Sequence, residues 1–532
     1  MRRVLLVTTR SAQGMVSEIA RSLRGRYDVD VFVSGAVVAQ LASCEDLAVE
    51  LRGRLGRCDY DVVLVPGLVA GSAKVVEEAT GCKVYKGPKY AGDIPLALEL
   101  LERGLELSRE VPADDLLKEV FSADFTRRLG SIVSSKKASF TLGGREVFAD
   151  PPPLLLVVEI SASDRRRFDE KLLRATEAGF DGVVVGCSRR CEPGLIAELA
   201  SRAKDALGSG IVGVDLPRVG DLTRDVAESV DLVLNVTSND VDTVAHLISS
   251  DKGVVAIPNT VDSPEDALTS LTVATSRLAE VGIRKVIVDP LIRPPGVGFA
   301  ESIVRFYQSR KSLSYPHLFS TANAYEMVDA DSHGMVVLLV TTALELGASL
   351  VLATEESSKA FGAIEEHAIA RCMAYSAYVR RSPPKDSPYG ADLLVVKGKR
   401  LDPSTIPPVE APALEVGTLE HVADPKYYVR IYVNHADEHL VVDVVSKVSG
   451  KPLARFLGRE AISLARAVVR RFDLTPEHAA YLGYELGKAE LALRFGKSYE
   501  QDSETVLSPR DKLRLLKDLT KSLNTVRSMV TG

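Results

Sequence analysis

A chain of 532 residues is too long for one ordinary domain and predicts about three. Hydrophobic residues at 46% and charged residues at 26% are usual for folded globular protein and exclude extensive disorder. The net charge of −6, with both signs interspersed, argues against a phosphate-tracking surface, and the apolar run at residues 4–7 is too short to export the chain or span a bilayer. The expectation is therefore a cytoplasmic protein with neither nucleic acid nor membrane as partner.

Residues 1–111 read as a small Rossmann-like α/β unit. VLLVT (4–8), VDVFVS (29–34) and DVVLVPG (61–67) are short apolar runs of the kind found in parallel strands covered on both faces. Helical stretches are expected at 15–23, 47–55 and 96–107. TTRSAQG has neither the GxGxxG nor the GxxxxGK[ST] spacing, so neither a dinucleotide nor a P-loop site is supported. KGPKYAGDIP (86–95) is a loop whose Lys86, Lys89 and Asp93 either face an anion or, as the simpler reading, are solvated. A connector follows at 112–150, with an acidic helix start (DDLLKEVF) and a hairpin turning at Gly143-Gly144. Three prolines, 151–153, stiffen the entry to the next domain.

From residue 154 the pattern becomes regular. Apolar runs at 154–160, 182–186, 211–215, 232–236, 254–258, 285–290, 316–320 and 349–354 alternate with stretches able to form helices. Eight buried strands alternating with helices over little more than two hundred residues predict a (β/α)8 TIM barrel. Gly179, Gly282 and Gly347 punctuate helix ends before strands. Beyond the barrel come a last strand, LLVVKG, within 379–425, and a Pro-rich linker at 401–415. A small α+β domain then opens with a hairpin turning at 435–438. Its helix from Pro476 is capped by Thr475 and buries the stripe Leu482, Leu486, Ala489, Leu493; a final amphipathic helix starts at Ser508-Pro509. The expected domains are 1–150, 151–400 and 401–532.

Six cysteines are scattered, with one close pair, Cys187 and Cys191, in CSRRC. A lone pair at that spacing does not make a zinc site, and reduced thiols are expected, with that pair on a loop after a strand. His317 and His333 flank the loop of the seventh barrel strand and are candidates to reach the barrel pocket. His478 falls in the first turn of a helix. No HxH or HExxH spacing occurs, and no metal site is expected.

Barrel chemistry is carried at strand carboxyl ends, which here hold Glu159, Asp215, Asn235, Asp289, Asn323 and Glu355. Asp215 in GVDLPR, Asn235 in LNVTSND and Asp289 in VIVDP each set a short polar side chain where an apolar strand meets the pocket. A carboxylate there must be paired or hydrogen-bonded, and a 2-amino-4-oxo heterocycle meets that need with two adjacent N–H donors. An Asn offers such a ring both a donor and an acceptor. Capping of barrel-end loops is the simpler structural role for any one of the three.

Strand three ending in VDLPR, strand four in NVTSND and strand six in VDP resemble the pterin-binding fold of dihydropteroate synthases and pterin-dependent methyltransferases. The segment from NAYEMVDADSHG to ATEESSKAFGAI is similar to a narrower group, the archaeal dihydropteroate synthase-related proteins. That group joins an N-terminal α/β domain, the barrel and a small C-terminal domain. KGPKYAGDIP and HAAYLGYELGKAELALRFGKSY carry the resemblance to both ends of the chain.

The resemblance implies pterin binding by Asp215, Asn235 and Asp289, and a role in folate or methanopterin-type metabolism. The implied activity is a transferase that joins a dihydropterin pyrophosphate to an arylamine. Departures are clear: EISASDRRR stands where the synthases have an NVTPDSF-type loop, Glu192 precedes Pro-Gly in place of Arg, and STAN replaces an SRK-type lysine. Displacing pyrophosphate calls for cations or Mg2+, and Arg165, Arg166, Arg189 and Arg190 are the nearby candidates, the last two for anion binding. Asn323, in NAYE, is similar to the Asn that methyltransferases place near the reactive ring nitrogen. It is the candidate catalytic residue of a methyl transfer to a corrinoid protein partner. A non-catalytic pterin carrier is the third reading, and a homodimer is one expected assembly.

Overall fold

The structure, a computed structural model, describes residues 1–56, 58–187, 191–386, 392–396, 416–417, 423–503 and 505. Four parallel strands open the chain: β1 (Arg2–Thr8), β2 (Tyr27–Val33), β3 (Val62–Val65) and β4 (Val84–Lys86), in the order β2-β1-β3-β4. β1 is apolar and buried from Val4 to Val7 because both of its faces are covered there. Val4 and Leu6 pack with Ile19 and Leu98, while Leu5 and Val7 pack with Leu47 and Leu51. β4 was not among the expected strands, its three residues being too short to announce a pattern.

The hairpin of β5 (Phe140–Leu142) and β6 (Arg145–Val147) turns where expected, Gly143 and Gly144 both taking left-handed φ (55° and 79°). Eight parallel strands follow: β7 (Leu155–Ser161), β8 (Gly182–Gly186), β9 (Ile211–Asp215), β10 (Leu232–Val236), β11 (Gly253–Ala256), β12 (Lys285–Val288), β13 (Leu318–Ser320) and β14 (Leu350–Thr354). They pair in the order β12-β11-β10-β9-β8-β7-β14-β13. An isolated parallel bridge between Val288 and His317 links the two ends of this sheet, with the Val288 N–H donating to Pro316 O at 2.9 Å. The sheet is therefore a nearly closed (β/α)8 barrel, with helices such as Arg165–Glu177, Pro193–Leu207 and Ser332–Glu345 between strands.

Alternation along each strand decides what faces inward. Leu155 and Val157, Val184, Ile211, Leu232 and Leu234, Val255, Ile287, Leu318, and Leu350 and Leu352 form the buried interior. Leu142 and Val147 of the hairpin join the same cluster from the amino end of the strands. A Cβ on Gly143 would lie 2.3 Å from Gly210 O, so only glycine lets the hairpin tip sit against the lead into β9.

In the C-terminal part, β15 (Tyr427–Asn434), β16 (His439–Ser446) and β17 (Pro452–Gly458) form an antiparallel sheet. The helices Ala461–Phe472 and Pro476–Arg494 pack their apolar sides on it through Leu464, Val468, Leu482 and Leu486. Thr475 caps the second helix by accepting from the His478 N–H. The N-terminal sheet and the barrel fall in one compact unit, and this C-terminal sheet in another. Among the described residues no helix is long and apolar enough to cross a membrane.

Two expectations need correction, and two others fall outside the described residues. Residues 393–396, four of the six in the expected LLVVKG strand, are not in a strand. The Pro-rich linker and the helix from Ser508 lie outside the described residues. Four of the six cysteines are not free thiols, because Cys58 is bonded to Cys82 and Cys187 to Cys191. Cys58 and Cys82 lead into β3 and β4, which are adjacent parallel strands, so topology brings their Cα atoms to 5.2 Å. Cys187 and Cys191 bracket the loop leaving β8, as expected for their position, with Cα atoms 6.1 Å apart. Cys44 is buried and Cys372 exposed, both free.

The loop KGPKYAGDIP also reads differently in three dimensions. Lys86 is buried and donates to Val69 O at 3.0 Å. Lys89 pairs with Asp115 at 2.6 Å. Asp93 is buried and receives Arg128 at 2.6 Å and Arg380 at 2.7 Å. These charges are neither solvated nor aimed at an anion. Of the three, Asp93 ties the N-terminal part to the helix Ala363–Arg380 that follows β14, while the two lysines bond within the N-terminal part itself.

Candidate functional site at the barrel mouth

The inward parity of β7 runs Leu155, Val157, Glu159, and that of β9 runs Ile211, Gly213, Asp215. On β12 the same parity carries Ile287 to Asp289. Three carboxylates thus cap the apolar interior at the carboxyl ends of the strands, where barrel chemistry resides. A Cβ on Gly186, at the matching position of β8, would lie 2.3 Å from Glu159 Oε1. Glycine at this position therefore gives Glu159 its space.

Asn235 does not follow parity. Leu234 is the inward residue of β10, so Asn235 ought to point outward. Its φ is +60°, and the pairing of β10 with β11 shifts register between Val233 and Val236. This left-handed residue turns the amide back toward the mouth, where Nδ2 donates to Asp215 Oδ1 at 2.7 Å. Asn tolerates that conformation better than other side chains, and strain of this kind collects at binding sites. Asn235→Ala should lose the donor and keep the strain, destabilising the fold by about 1–2 kcal/mol. Asn235→Gly should be milder, because glycine relieves the strain. Urea unfolding of the two variants separates backbone from hydrogen bond, and equal losses would refute the strain.

Asp289 is buried, and its Oδ1 accepts the Leu291 N–H at 2.7 Å. Burial pushes its carboxyl up to about 7, opposed by that hydrogen bond and by Arg305, with Asp215 adding to the rise. Burial, then the charges of Asp215 and Glu356, push Glu159 up to about 7 as well. Asp215 is also raised by burial, with Asn235 opposing. Among the described residues none of these three carboxylates forms an ion pair. Glu355 differs: it is held by Arg174 at 2.6 and 2.8 Å and accepts the Gly362 N–H at 3.0 Å, which makes it part of the frame.

The loop leaving β12 is pinned from behind. Arg305, buried in the helix Phe299–Ser312, donates through Nε to Pro290 O at 2.6 Å and through Nη2 to Leu291 O. Leu291 is held at φ +66°. Arg293, two residues on, makes no ion pair with any described residue. Neither does Arg218, exposed in the loop after β9.

Asn323 is exposed in the short helix Ala322–Tyr325 after β13, and its Nδ2 donates to Ile292 O at 3.0 Å. It tethers two mouth loops and makes no hydrogen bond to Asp215, Asn235 or Asp289. Arg189 and Arg190 lie outside the described residues, and Arg165 pairs with Glu198 at 2.8 Å. His317 does not reach the mouth. It is buried at the amino end of β13, bonded to Ser309 Oγ at 2.9 Å and Tyr315 O at 2.8 Å. His333 contacts Glu366 at 2.6 Å. Among the described residues no group of three or more His, Cys, Asp or Glu is arranged to hold a metal ion.

Fold and mouth together define a (β/α)8-barrel protein with an acidic, inward-facing candidate site. A family model described as PterinBD-DUF4346 matches residues 423–502, which is the C-terminal sheet and its helices rather than the barrel. Over nearly its whole length the chain is similar to the uncharacterized protein MJ0107 of Methanocaldococcus jannaschii. The two are 27% identical over 530 residues, covering 95% of this chain and 99% of that relative. Among solved structures it is similar to dihydropteroate synthase from Xanthomonas albilineans in complex with 7,8-dihydropteroate, at 17% identity, 43% of this chain, 94% of that one and a TM-score of 0.32. It is similar to the same degree to a truncated 3-deoxy-D-arabino-heptulosonate 7-phosphate synthase from Thermotoga maritima, at 15% identity, 43% and 85% coverage and a TM-score of 0.34.

Proposed function

We propose that the barrel mouth binds a pterin and that the protein acts as a transferase of the dihydropteroate synthase type. The observation that carries this reading is the set of three inward carboxylates, Glu159, Asp215 and Asp289, none of them in an ion pair among the described residues. Asp289 is buried and Glu159 and Asp215 are half-buried; carboxylates so enclosed without cations are costly, and a ring edge with adjacent N–H donors answers them with charge-assisted bonds. Asp289, the most enclosed, takes the 2-amino and N3–H edge. Asn235 orients Asp215 for a second contact along the ring. In the transfer, an arylamine nitrogen attacks the methylene carbon on the pterin. The C–N bond forms as the C–O bond to pyrophosphate breaks with its electron pair, and the amine proton leaves to solvent. The barrel contributes chiefly by positioning. Arg218 and Arg293 are the loop cations proposed to face the leaving group, and Asn323 is a positioning residue for the loop after β12.

The test is calorimetric titration with 6-hydroxymethyl-7,8-dihydropterin at two pH values. The ring binds the ionised carboxylate, and the Asp289 carboxyl lies at about 7. Affinity should therefore be about tenfold higher at pH 8 than at pH 6, with proton release on binding at pH 6. Absence of binding at both pH values would remove the proposal. Binding that is blind to pH would remove Asp289 from it. Pyrophosphate release that depends on an aminobenzoate-type acceptor then separates the synthase from a carrier or a corrinoid-dependent methyl transfer.

A further inference from the structure

A second candidate ligand site lies in the N-terminal sheet, independent of the barrel. The strand order β2-β1-β3-β4 means that the chain leaves β1 to one side and returns to β3 on the other. Open α/β sheets bind ligands at such a switch point, in the crevice outside the carboxyl ends of the two strands. A cavity of about 290 Å³ occupies that crevice, walled by Thr8 and Thr9 at the end of β1, Val65 and Pro66 at the end of β3, and Pro88 and Tyr90 beyond β4.

Its polarity narrows what it can hold. Thr8 and Thr9 are each only 2% exposed and line the cavity. Neither hydroxyl hydrogen-bonds to any described residue. With no partner among the described residues, both hydroxyls open into the cavity and are free to bond a ligand that enters it. No Asp or Glu lines the cavity, and its two cations are already engaged: Lys89 with Asp115 at 2.6 Å and Arg381 with Glu18 at 2.6 Å. The N–H groups of Arg10 and Ser11, in the turn after β1, donate to Ala36 O at 3.1 Å and Val37 O at 3.0 Å. No cradle of spare amides or free positive charge is left for a phosphate at this turn. Apart from Ser11, Gln40 and the Tyr90 hydroxyl, the rest of the wall is apolar.

We propose that this cavity binds an uncharged, planar heterocycle of nucleobase or nucleoside size, with Thr8 and Thr9 hydrogen-bonding its polar edge. The test uses the whole protein, with adenosine, guanosine and lumichrome as neutral probes and adenosine monophosphate as the charged one. Binding is read by calorimetry and by thermal shift. At least one neutral probe should bind. Thr9→Val should weaken it about tenfold, the worth of one hydrogen bond, while leaving the free protein folded. Ala39→Phe, at the rim of the cavity, should block the probe, and Asp289→Asn should leave it unchanged. That last arm separates this site from the barrel, because failure of pterin binding would not touch it. Failure of all three neutral probes would overturn the proposal, as would binding of the monophosphate alone. Binding that survives both Thr9→Val and Ala39→Phe, or that Asp289→Asn abolishes, would overturn it equally.

Discussion

Replacing Asp289 by Asn should make the protein more stable at neutral and higher pH while removing its grip on a pterin. Asn keeps the acceptor that the Leu291 N–H uses and nearly the same volume, so the loop after β12 has no reason to move. Only the charge goes. Burial raises the folded carboxyl to about 7, far above its unfolded value. Between roughly pH 4 and 7 the unfolded chain has therefore released a proton that the folded chain still holds. Stability from this group is complete below the unfolded value and is lost as pH rises through the folded one. At pH 8 the loss amounts to about 3–4 kcal/mol, most of which Asp289→Asn should recover by removing the buried charge; near pH 4 the two proteins should match. Pterin affinity should fall about a hundredfold, because two charge-assisted bonds become one weak and one mispaired contact. Denaturant titrations at pH 4, 6 and 8 beside calorimetry check both halves. A variant less stable than the parent at pH 8 would mean that Asp289 is a structural acceptor whose charge the fold already satisfies.

That trade-off explains which part of the site could be read from the chain. The apolar runs carried the eight barrel strands to within a few residues, because strands buried on both faces need continuous Val, Ile and Leu. Asp215 and Asp289 were legible as polar residues ending such runs. Glu159 was visible at a strand end but was not singled out, although counting by twos from Leu155 and Val157 puts it inside. The same counting would have sent Asn235 outward. Its inward turn depends on a register shift and a positive φ that no period in the sequence encodes. His317 was misplaced because proximity to a strand does not say which end of it, and the barrel's amino end buries it. The cysteine pairs follow from which strands lie side by side, a tertiary fact.

The charges of KGPKYAGDIP were misread for a related reason, and they support the second large effect. Arg380→Leu should cost about 3–5 kcal/mol, since it strands the buried Asp114 carboxylate and takes one of two cations from the buried Asp93. The Arg380 guanidinium spans Asp93 at 2.7 Å and Asp114 at 2.8 Å, lies 4.6 Å from the Tyr90 ring centre and donates to Asp386 O at 2.6 Å. Burial already raises the Asp114 carboxyl despite this partner. Asp93 would retain Arg128, whereas Asp114 would keep only the Lys89 N–H. Backbone geometry adds to the cost, because Gly92 lies so close to the Arg380 backbone that an added Cβ would sit 2.2 Å from its carbonyl oxygen. The chain therefore cannot close over a vacated guanidinium by sliding. Acid should shrink the deficit, as the stranded carboxyls take up protons and become neutral. Replacing all three residues, Arg380→Leu with Asp93→Asn and Asp114→Asn, should restore much of the loss, since neutral buried amides tolerate what lone carboxylates do not. Unfolding by urea at pH 5 and 8, followed on the single and triple variants, distinguishes this joint from a surface ion pair. A single variant within 1 kcal/mol of the parent at both pH values would show that packing, and not the buried charge network, holds the N-terminal sheet to the barrel.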